Sequence, residues 1–169
     1  MNEIEQLAAT PSLDYVVSPV RVMTVPEVRL FCVTTEAPFD KLDEELDRMI
    51  PLLEAAQAEA GIATAGPTVI RYFATEYAGQ WHMDVGVPVS WDWVQAAGEA
   101  RIVIAPALEC GAILHWGSLA HIGDSYAALN RGIAEAGRTN VGEGREWYLH
   151  FAGDTSTDNV ILLQLEVKL

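Results

Sequence analysis

The stretch GREWYLHF, residues 144–151, has the composition of a β-strand in which neither face is plainly polar. Side chains alternate between the two faces of a strand, so Glu146 and Tyr148 share one face while Arg145 and Trp147 lie on the other. A carboxylate on such an aromatic strand indicates either a strand edge that is open to water or a polar group placed in an apolar pocket.

An internal repeat connects this strand to the rest of the chain. Three pairs of residues are separated by the same interval of 76 positions: Gly61 and Gly137, Gly66 and Gly142, and Tyr72 and Tyr148. Both halves of the chain also show the same order of elements, and each opens with a strand that contains a proline. This shared order favours a duplication over chance matches of glycine and tyrosine.

The apolar pattern predicts a strand, a helix and two further strands in each half. In the first half we expect a strand at 20–35 interrupted near Pro26, a helix at 39–61, and strands at 68–77 and 81–91. In the second half we expect a strand at 100–117 broken near Pro106, a helix at 118–137, and strands at 145–151 and 159–169. Pro51 should kink or restart the first helix, because proline clashes with the preceding turn.

These elements predict an α+β fold, a pseudo-twofold duplication of a strand–helix–strand–strand unit with one antiparallel sheet and two main helices packed on it. A chain of 169 residues is long enough to build the core of one such domain. We assign residues 1–18 to an N-terminal extension and residues 19–169 to the domain, whose halves are 19–96 and 97–169.

Charge and composition argue against several classes of function. The chain carries 24 acidic and 10 basic residues, a formal charge of −14, which opposes direct binding of nucleic acid. No apolar run approaches the roughly 18–20 residues that span a bilayer. The acidic start lacks the features of a secretory signal, so we expect a cytoplasmic protein.

Cys32 and Cys110 stand alone, and the chain has neither a zinc motif nor a phosphate-binding glycine loop, so we expect no metal and no cofactor.

Glu146 is the first candidate for a functional role. In the repeat it corresponds to Ile70, whereas Tyr148 corresponds to Tyr72, so one half has a carboxylate where the other has an aliphatic side chain. If both tyrosines face a central cleft, Glu146 faces it too, and burial there raises its pKa unless a cation or hydrogen-bond donors are near. The alternative is that Glu146 lies at a strand edge and pairs with a nearby arginine or with water.

Aromatic side chains are the second feature. Trp91 and Trp93 follow the strand that contains DVGVPV (84–89), at a position where one ring can cover an opening. Aromatic rings around a carboxylate suit a lipophilic cation, because the rings offer cation–π contacts and the carboxylate balances the charge. His115 begins HWGSL, where it serves either as a site residue or as a link between a strand and a helix.

Several of these motifs, in this order, resemble a known family. AILHWGSL (112–119), the following helix with Tyr126, and REWYL (145–149) resemble the second half of the GyrI-like small-molecule-binding domain. VRVMTVPEVRLFCV and DVGVPV resemble strands of its first half, so that the resemblance covers residues 19–169. It implies a duplicated fold with a ligand cleft between the halves, in which the family's pocket glutamate corresponds to Glu146 and its tyrosine to Tyr148. The family's usual His-x-Gly-Pro-Tyr reads HWGSL here, so contacts from that tyrosine are not implied.

The residues and the resemblance together give a set of candidate ligand-binding residues: Tyr72, Trp91, His115, Tyr126, Glu146 and Tyr148. Members of the family serve as effector-binding domains of AraC-type and MerR-type multidrug regulators, as an inhibitor of DNA gyrase, and as hydrolases of cyclopropane-bearing DNA alkylators. The first 18 residues are too few for a helix-turn-helix, so we do not expect the chain itself to bind DNA.

Three functions therefore stay open. The first is binding of lipophilic, cationic small molecules with Glu146 as the polar anchor. The second is hydrolysis of reactive electrophiles, in which Glu146 acts as general acid or base. The third is modulation of a protein partner such as gyrase through an acidic surface.

Overall fold

Strands dominate the architecture. The computed structural model describes residues 14–62, 67–93 and 95–169. Its strands are β1 (Tyr15–Val17), β2 (Arg21–Val25), β3 (Val28–Pro38), β4 (Thr68–Ala74), β5 (Gln80–Pro88), β6 (Arg101–Ala105), β7 (Leu108–Gly117), β8 (Thr139–His150) and β9 (Val160–Lys168). Within the described residues there are two long helices, α1 (Leu42–Ala60) and α2 (Ile122–Glu135), each preceded by a 3₁₀ turn. The predicted α+β class is confirmed.

All nine strands belong to one sheet. Its order is β1-β7-β9-β8-β4-β5-β3-β6, with β2 also paired to β7, and the pairings are antiparallel. The first half of the chain supplies β4, β5 and β3, and the second half supplies β8, β9 and β7. The two halves meet where β4 pairs with β8 at the centre of the sheet.

The residue pairs between β4 and β8 follow the 76-residue repeat. Ile70 lies opposite Glu146, and this pair is flanked by Thr68 opposite Tyr148 and by Tyr72 opposite Gly144. Exchanging the two halves by the interval of 76 residues turns each flanking pair into the other and leaves the central pair unchanged. The pseudo-twofold axis therefore passes between Ile70 and Glu146.

The opening strand of each half is split at its proline into a short strand and a long strand. β2 and β3 are separated at Pro26, and β6 and β7 are separated at Pro106, as the sequence predicts. Each short piece then pairs with the long strand of the other half, β2 with β7 and β6 with β3. Proline cannot donate to a β-ladder, so the chain is free to change neighbours at these points. One difference from the sequence assignment is that residues 15–17, placed there in the N-terminal extension, form β1 on the edge of β7.

The helices pack on one face of the sheet and build a core in each half. Met49, Leu53 and Ala56 of α1 join Phe31 in one cluster. Leu129 and Ile133 of α2 pack on the inner residues of β7 and β9 in another, and the half-buried Tyr148 touches both clusters.

Two features of sequence explain where the first helix runs and stops. Gly61 ends α1 with a φ of 66°, a left-handed conformation that glycine adopts readily. The helix does not restart at Pro51, contrary to one of the two expected outcomes, and continues through it to Ala60. Pro51 is exposed, so water can hydrogen-bond the carbonyl that the proline leaves without a donor.

Among the described residues, no helix has both the length and the apolar character that crossing a membrane requires.

Candidate functional site

A cavity of about 1300 Å³ opens between α1 and the segments that follow β7 and β8. One wall is the length of α1, the floor is the junction of β4 and β8, and the facing wall comes from the start of α2 and the turn after β8. The residues that line it are Asp43, Leu46, Asp47, Ile50, Leu53, Glu54, Gln57, Pro67, Thr68, Ile70, Val87, Leu119, Ala120, Ile122, Glu146, Tyr148, Leu149, His150, Phe151, Asp154 and Thr155.

Glu146 lies on the floor of this cavity and is held by two tyrosines. The hydroxyl of Tyr126, on α2, donates to Oε1 of Glu146 at 2.5 Å. The hydroxyl of Tyr148, two residues along the same strand, donates to Oε2 at 2.8 Å. Each carboxylate oxygen has two lone pairs, so each retains one for a ligand. The carboxylate is thus fixed in position while it still faces the cavity.

A third tyrosine extends this arrangement across the pseudo-twofold axis. The hydroxyl oxygens of Tyr72 and Tyr126 are 2.5 Å apart. A tyrosine has one proton to donate, and Tyr126 gives its proton to Glu146, so Tyr72 must donate to Tyr126. The hydroxyls of Tyr72 and Tyr126 therefore form a directed chain that ends at the carboxylate, and charge on the carboxylate strengthens each bond along it.

Burial sets the protonation of this cluster. Desolvation raises the pKa of Glu146 above its ordinary value, and the hydrogen bonds from Tyr126 and Tyr148 offset part of that rise, while the charge of Asp43 adds to it. Burial, together with the negative charge of Glu146, also raises the pKa of Tyr72, Tyr126 and Tyr148. The tyrosines accordingly stay protonated donors near neutral pH, and Glu146 is the group in the cluster whose charge changes most readily.

Arg71 on β4 and Arg145 on β8, which are paired with each other beside Ile70 and Glu146, lie on the other face of the sheet. Arg71 pairs with Asp84 at 2.9 Å and with Glu143 at 2.8 Å, and the guanidinium of Arg145 donates to Glu143 and to the carbonyl oxygen of Pro106, both at 2.5 Å. Side-chain alternation along β4 and β8 places these groups opposite to Ile70 and Glu146. An ion pair between Glu146 and these arginines, the alternative left open by the sequence, is not formed.

The cavity lining is strongly acidic. Besides Glu146 it includes four carboxylates: Asp43, Asp47, Glu54 and Asp154. Across the described part of the chain, none of these five forms an ion pair, and the lining has no lysine or arginine. Apolar side chains such as Leu46, Ile50 and Phe151 make up much of the remaining wall. A cavity of this kind attracts cations and offers them an apolar surface.

The candidate residues from the sequence fall into three groups. Glu146 and Tyr148 line the cavity, and Tyr72 and Tyr126 lie behind them in the hydroxyl chain. His115 is fully buried, and its Nδ1 lies 2.6 Å from the hydroxyl of Ser125, where it links β7 to α2. Trp91 is 54% exposed in the turn after β5 and does not line this cavity.

Sequence reasoning missed the contribution of α1. Asp43, Asp47, Glu54 and Gln57 all line the cavity, whereas the apolar periodicity of this helix predicts only that it packs on the sheet. Their signal is the helical spacing: at about 100° per residue, the three acids fall within roughly 40° of one another around the helix. Such a stripe beside an apolar face is also what a solvated helix surface shows, so the sequence does not separate the two.

Comparisons with known proteins identify relatives of the fold. No family model matches the chain, and no curated protein matches its sequence. Among solved structures, the C-terminal domain of EcmrR superposes with a TM-score of 0.65 and 16% identity, covering 91% of this chain and 98% of that domain. SAV2435 bound to tetraphenylphosphonium gives a TM-score of 0.65 and 9% identity, covering 89% of this chain and 94% of that one.

Two further matches differ in extent and in description. A hydrolase from Listeria innocua gives a TM-score of 0.59 and 13% identity, covering 98% of both chains. This chain spans 62% of the EcmrR chain that is seen in a complex with DNA. Similarity at these identities establishes the fold alone: the chain shares the fold of the EcmrR C-terminal domain and of SAV2435, in agreement with the duplicated fold that the resemblance in its sequence implies.

Proposed function

We propose that this chain binds small, lipophilic organic cations in the cavity over β4 and β8, with Glu146 as the polar anchor. The observation that carries the proposal is the lining: apolar walls, five carboxylates and, within the described residues, no cationic side chain of lysine or arginine. A flat or bulky cation gains dispersion contacts with the walls and Coulombic attraction from the acids, whereas an anion is repelled.

Glu146 suits the role of anchor because it is held rather than free. The two tyrosine donors hold the carboxylate in one orientation, so a ligand does not have to order it on binding. A cation also favours the ionised form of Glu146, whose pKa is raised by burial, so binding is coupled to release of a proton wherever Glu146 is partly protonated in the free protein. The structure of SAV2435, which shares the fold, was determined with an organic cation, tetraphenylphosphonium.

The experiment compares a cation with a neutral molecule of similar shape. Methyltriphenylphosphonium and triphenylphosphine oxide share three phenyl rings and differ in charge. We expect Glu146→Gln to weaken binding of the cation by about tenfold or more, since one buried charge contact is worth ~1.4 kcal/mol or above, and to leave the neutral molecule within about twofold. Glu59→Gln, on an exposed position of α1 outside the cavity lining, is the control and should change neither affinity. Equal losses for both ligands, or no loss for either, would contradict the proposal.

A second function is favoured by the protonation of the same carboxylate. A glutamate with a raised pKa, next to tyrosine donors and open to a cavity, can act as a general acid or base toward an electrophile bound there. The fold is shared with hydrolases from Listeria innocua. Incubation with a cyclopropane-bearing alkylator, followed by mass spectrometry, tests this function. Ring-opened product that depends on Glu146 supports it, and product no faster than in buffer rejects it for that substrate class.

A further inference from the structure

A second cavity, of about 300 Å³, lies on the face of the sheet opposite to the first cavity. In the sheet order, β2 and β3 lie on opposite sides of β9, β8, β4 and β5, so the connection at Pro26 has to cross one face of the sheet. Val25, Pro26 and Val28 of this connection form one wall of the cavity, and Trp147 and Leu162, on β8 and β9, form the other. The volume is at the lower end of the range for small-molecule pockets.

Arg145 lines this cavity, and the protein uses only part of its guanidinium group. The residue is 1% exposed. Its Nε donates to Glu143 and its Nη2 donates to the carbonyl oxygen of Pro106, both at 2.5 Å. Its Nη1 has no hydrogen-bond acceptor among the described residues. Because a guanidinium group can donate five hydrogen bonds, Arg145 retains donors for an acceptor in the cavity.

Gln164 provides a second donor next to the first. It lies directly opposite Arg145 in the pairing of β8 with β9, is 4% exposed and also lines the cavity. The indole Nε1 of Trp147 donates to its Oε1 at 2.9 Å, which fixes the orientation of the amide because an indole N–H is only a donor. Its Nε2 has no acceptor in the described part of the chain. Over the same part, the unpaired side-chain nitrogens that are sealed from solvent belong to Gln57 and Arg71, so those of Arg145 and Gln164 are within reach of a ligand.

The charge of Arg145 is already balanced, and this favours a neutral ligand. Glu143 pairs with Arg145 and with Arg71, and Arg71 also pairs with Asp84 at 2.9 Å. Positive and negative charges are therefore equal among these four side chains. Glu27 adds a carboxylate to the cavity lining, and the whole chain has a formal charge of −14. An anion would be repelled by these charges, whereas a neutral acceptor can use the same donors without repulsion.

We infer that the second cavity binds a small, neutral aromatic molecule that carries a carbonyl group. The carbonyl oxygen has two lone pairs and accepts one hydrogen bond from Nη1 of Arg145 and one from Nε2 of Gln164. The aromatic ring packs on Trp147 and between Val28 and Leu162. This site does not depend on the proposed function, because Arg145 and Trp147 lie on the face of β8 opposite to the carboxylate that anchors the cation.

Three probes of similar shape test the inference. Acetophenone carries a carbonyl oxygen, α-methylstyrene has a methylene group in its place, and benzoate has a carboxylate. Binding is followed by NMR through the indole N–H signal of Trp147, which is assigned by its loss in Trp147→Phe. We expect acetophenone to bind about tenfold more tightly than α-methylstyrene, since the apolar molecule leaves both donors without an acceptor. Acetophenone should also bind more tightly than benzoate, which the carboxylates repel.

Gln164→Glu tests the two donors together. The new side chain keeps an oxygen that accepts from Trp147 and replaces the amide nitrogen by an oxygen that accepts from Arg145, so both donors are lost to a ligand. We expect this variant to bind acetophenone about tenfold more weakly and α-methylstyrene within about twofold of wild type. Gln80→Glu, at the start of β5 and outside both cavities, makes the same change of charge and should leave both affinities unchanged.

Val28→Phe tests the location of the site, because the larger side chain fills the second cavity. It should abolish binding of both neutral probes, whereas Ile104→Phe, on an exposed position of β6 outside both cavities, should not. Equal affinities of wild type for acetophenone and α-methylstyrene, or acetophenone binding that survives Gln164→Glu or Val28→Phe, overturn the inference. Tighter binding of benzoate than of acetophenone overturns the neutral class, and no binding of acetophenone to wild type overturns the site itself. Each of these results leaves the test with methyltriphenylphosphonium unaffected.

Discussion

Removing the hydroxyl of Tyr126 should disconnect Tyr72 from Glu146 and leave the carboxylate with the bond from Tyr148. This hydroxyl is the centre of the cluster, because it donates to Glu146 and accepts from Tyr72. Tyr126→Phe keeps the ring, which packs against the α2 core cluster, and deletes only the oxygen. The variant therefore loses two hydrogen bonds and leaves the hydroxyl of Tyr72 without its acceptor.

The size of the effect follows from the kinds of bond removed. A hydrogen bond to a charged group contributes about 1.5–3 kcal/mol and one between neutral groups about 0.5–1.5 kcal/mol. We therefore expect Tyr126→Phe to lower the free energy of unfolding by about 2–4 kcal/mol when Glu146 is ionised. Tyr72→Phe, which removes only the neutral bond, should cost about 1 kcal/mol.

The loss of stability caused by Tyr126→Phe should increase with pH. Because the folded-state pKa of Glu146 is raised by burial, the stability contributed by this group is present at pH below its unfolded value and is lost as pH rises through the folded value. The bond from Tyr126 favours the ionised form, so Tyr126→Phe raises the folded pKa further and enlarges this loss. The destabilisation should accordingly be greater at pH 8 than at pH 4.5.

Urea denaturation of wild type and variants at the two pH values measures these differences. Tyr77 is 64% exposed, so Tyr77→Phe is the control and should stay within about 0.5 kcal/mol of wild type at both pH values. A double-mutant cycle with Glu146→Gln then isolates the coupling between Tyr126 and the carboxylate. A cost of less than about 1 kcal/mol, or one that does not grow between the two pH values, would show that the hydroxyl chain does not support the carboxylate.

Two further substitutions, one of them with a matched glycine control, test the surroundings of the site. A Cβ added at Gly144 would overlap the ring of Tyr72, which lies opposite it, so Gly144→Ala should cost about 1–3 kcal/mol and weaken binding of methyltriphenylphosphonium. Gly123→Ala, where the space is open on α2, should be neutral or stabilising in the same denaturation assay. Gln57→Met keeps the side-chain volume and removes the unpaired donor, so it should raise the free energy of unfolding by up to about 1 kcal/mol. If thermal unfolding shows no gain in stability, the amide of Gln57 is already hydrogen-bonded in the wild-type protein.

Much of the fold was predictable because its signals are local. The positions of both helices, the breaks at Pro26 and Pro106 and the stop at Gly61 follow from apolar periodicity, from the missing N–H of proline and from the freedom of glycine. The interval of 76 residues predicted equivalent strands, and the register of β4 and β8 shows the same interval.

What the sequence did not predict depends on long-range geometry. The exchange of β2 and β6 between halves leaves no local pattern, because each pairs with a strand distant in the chain. The same holds for the site: the Tyr126 hydroxyl reaches Glu146 from a helix 20 residues earlier in the chain, and the bond is visible only once α2 is placed on the sheet. The polar network of Arg71, Asp84 and Glu143 on the opposite face also requires the pairing of β4 with β5 and β8.

The position of the pseudo-twofold axis explains why the floor of the cavity has a carboxylate from only one half of the repeat. Ile70 and Glu146 are equivalent in the repeat and also lie directly opposite each other, where Cβ atoms are about 4.5–5.5 Å apart. A glutamate in both halves would therefore place two carboxylates side by side on the same cavity floor, where like charges repel and one of the pair would be held protonated. A single carboxylate at this position therefore requires a different residue type in the other half. Ile70 is that residue, and its side chain adds apolar surface to the cavity. The asymmetry between the halves is thus a requirement of a charged site built on a symmetry axis.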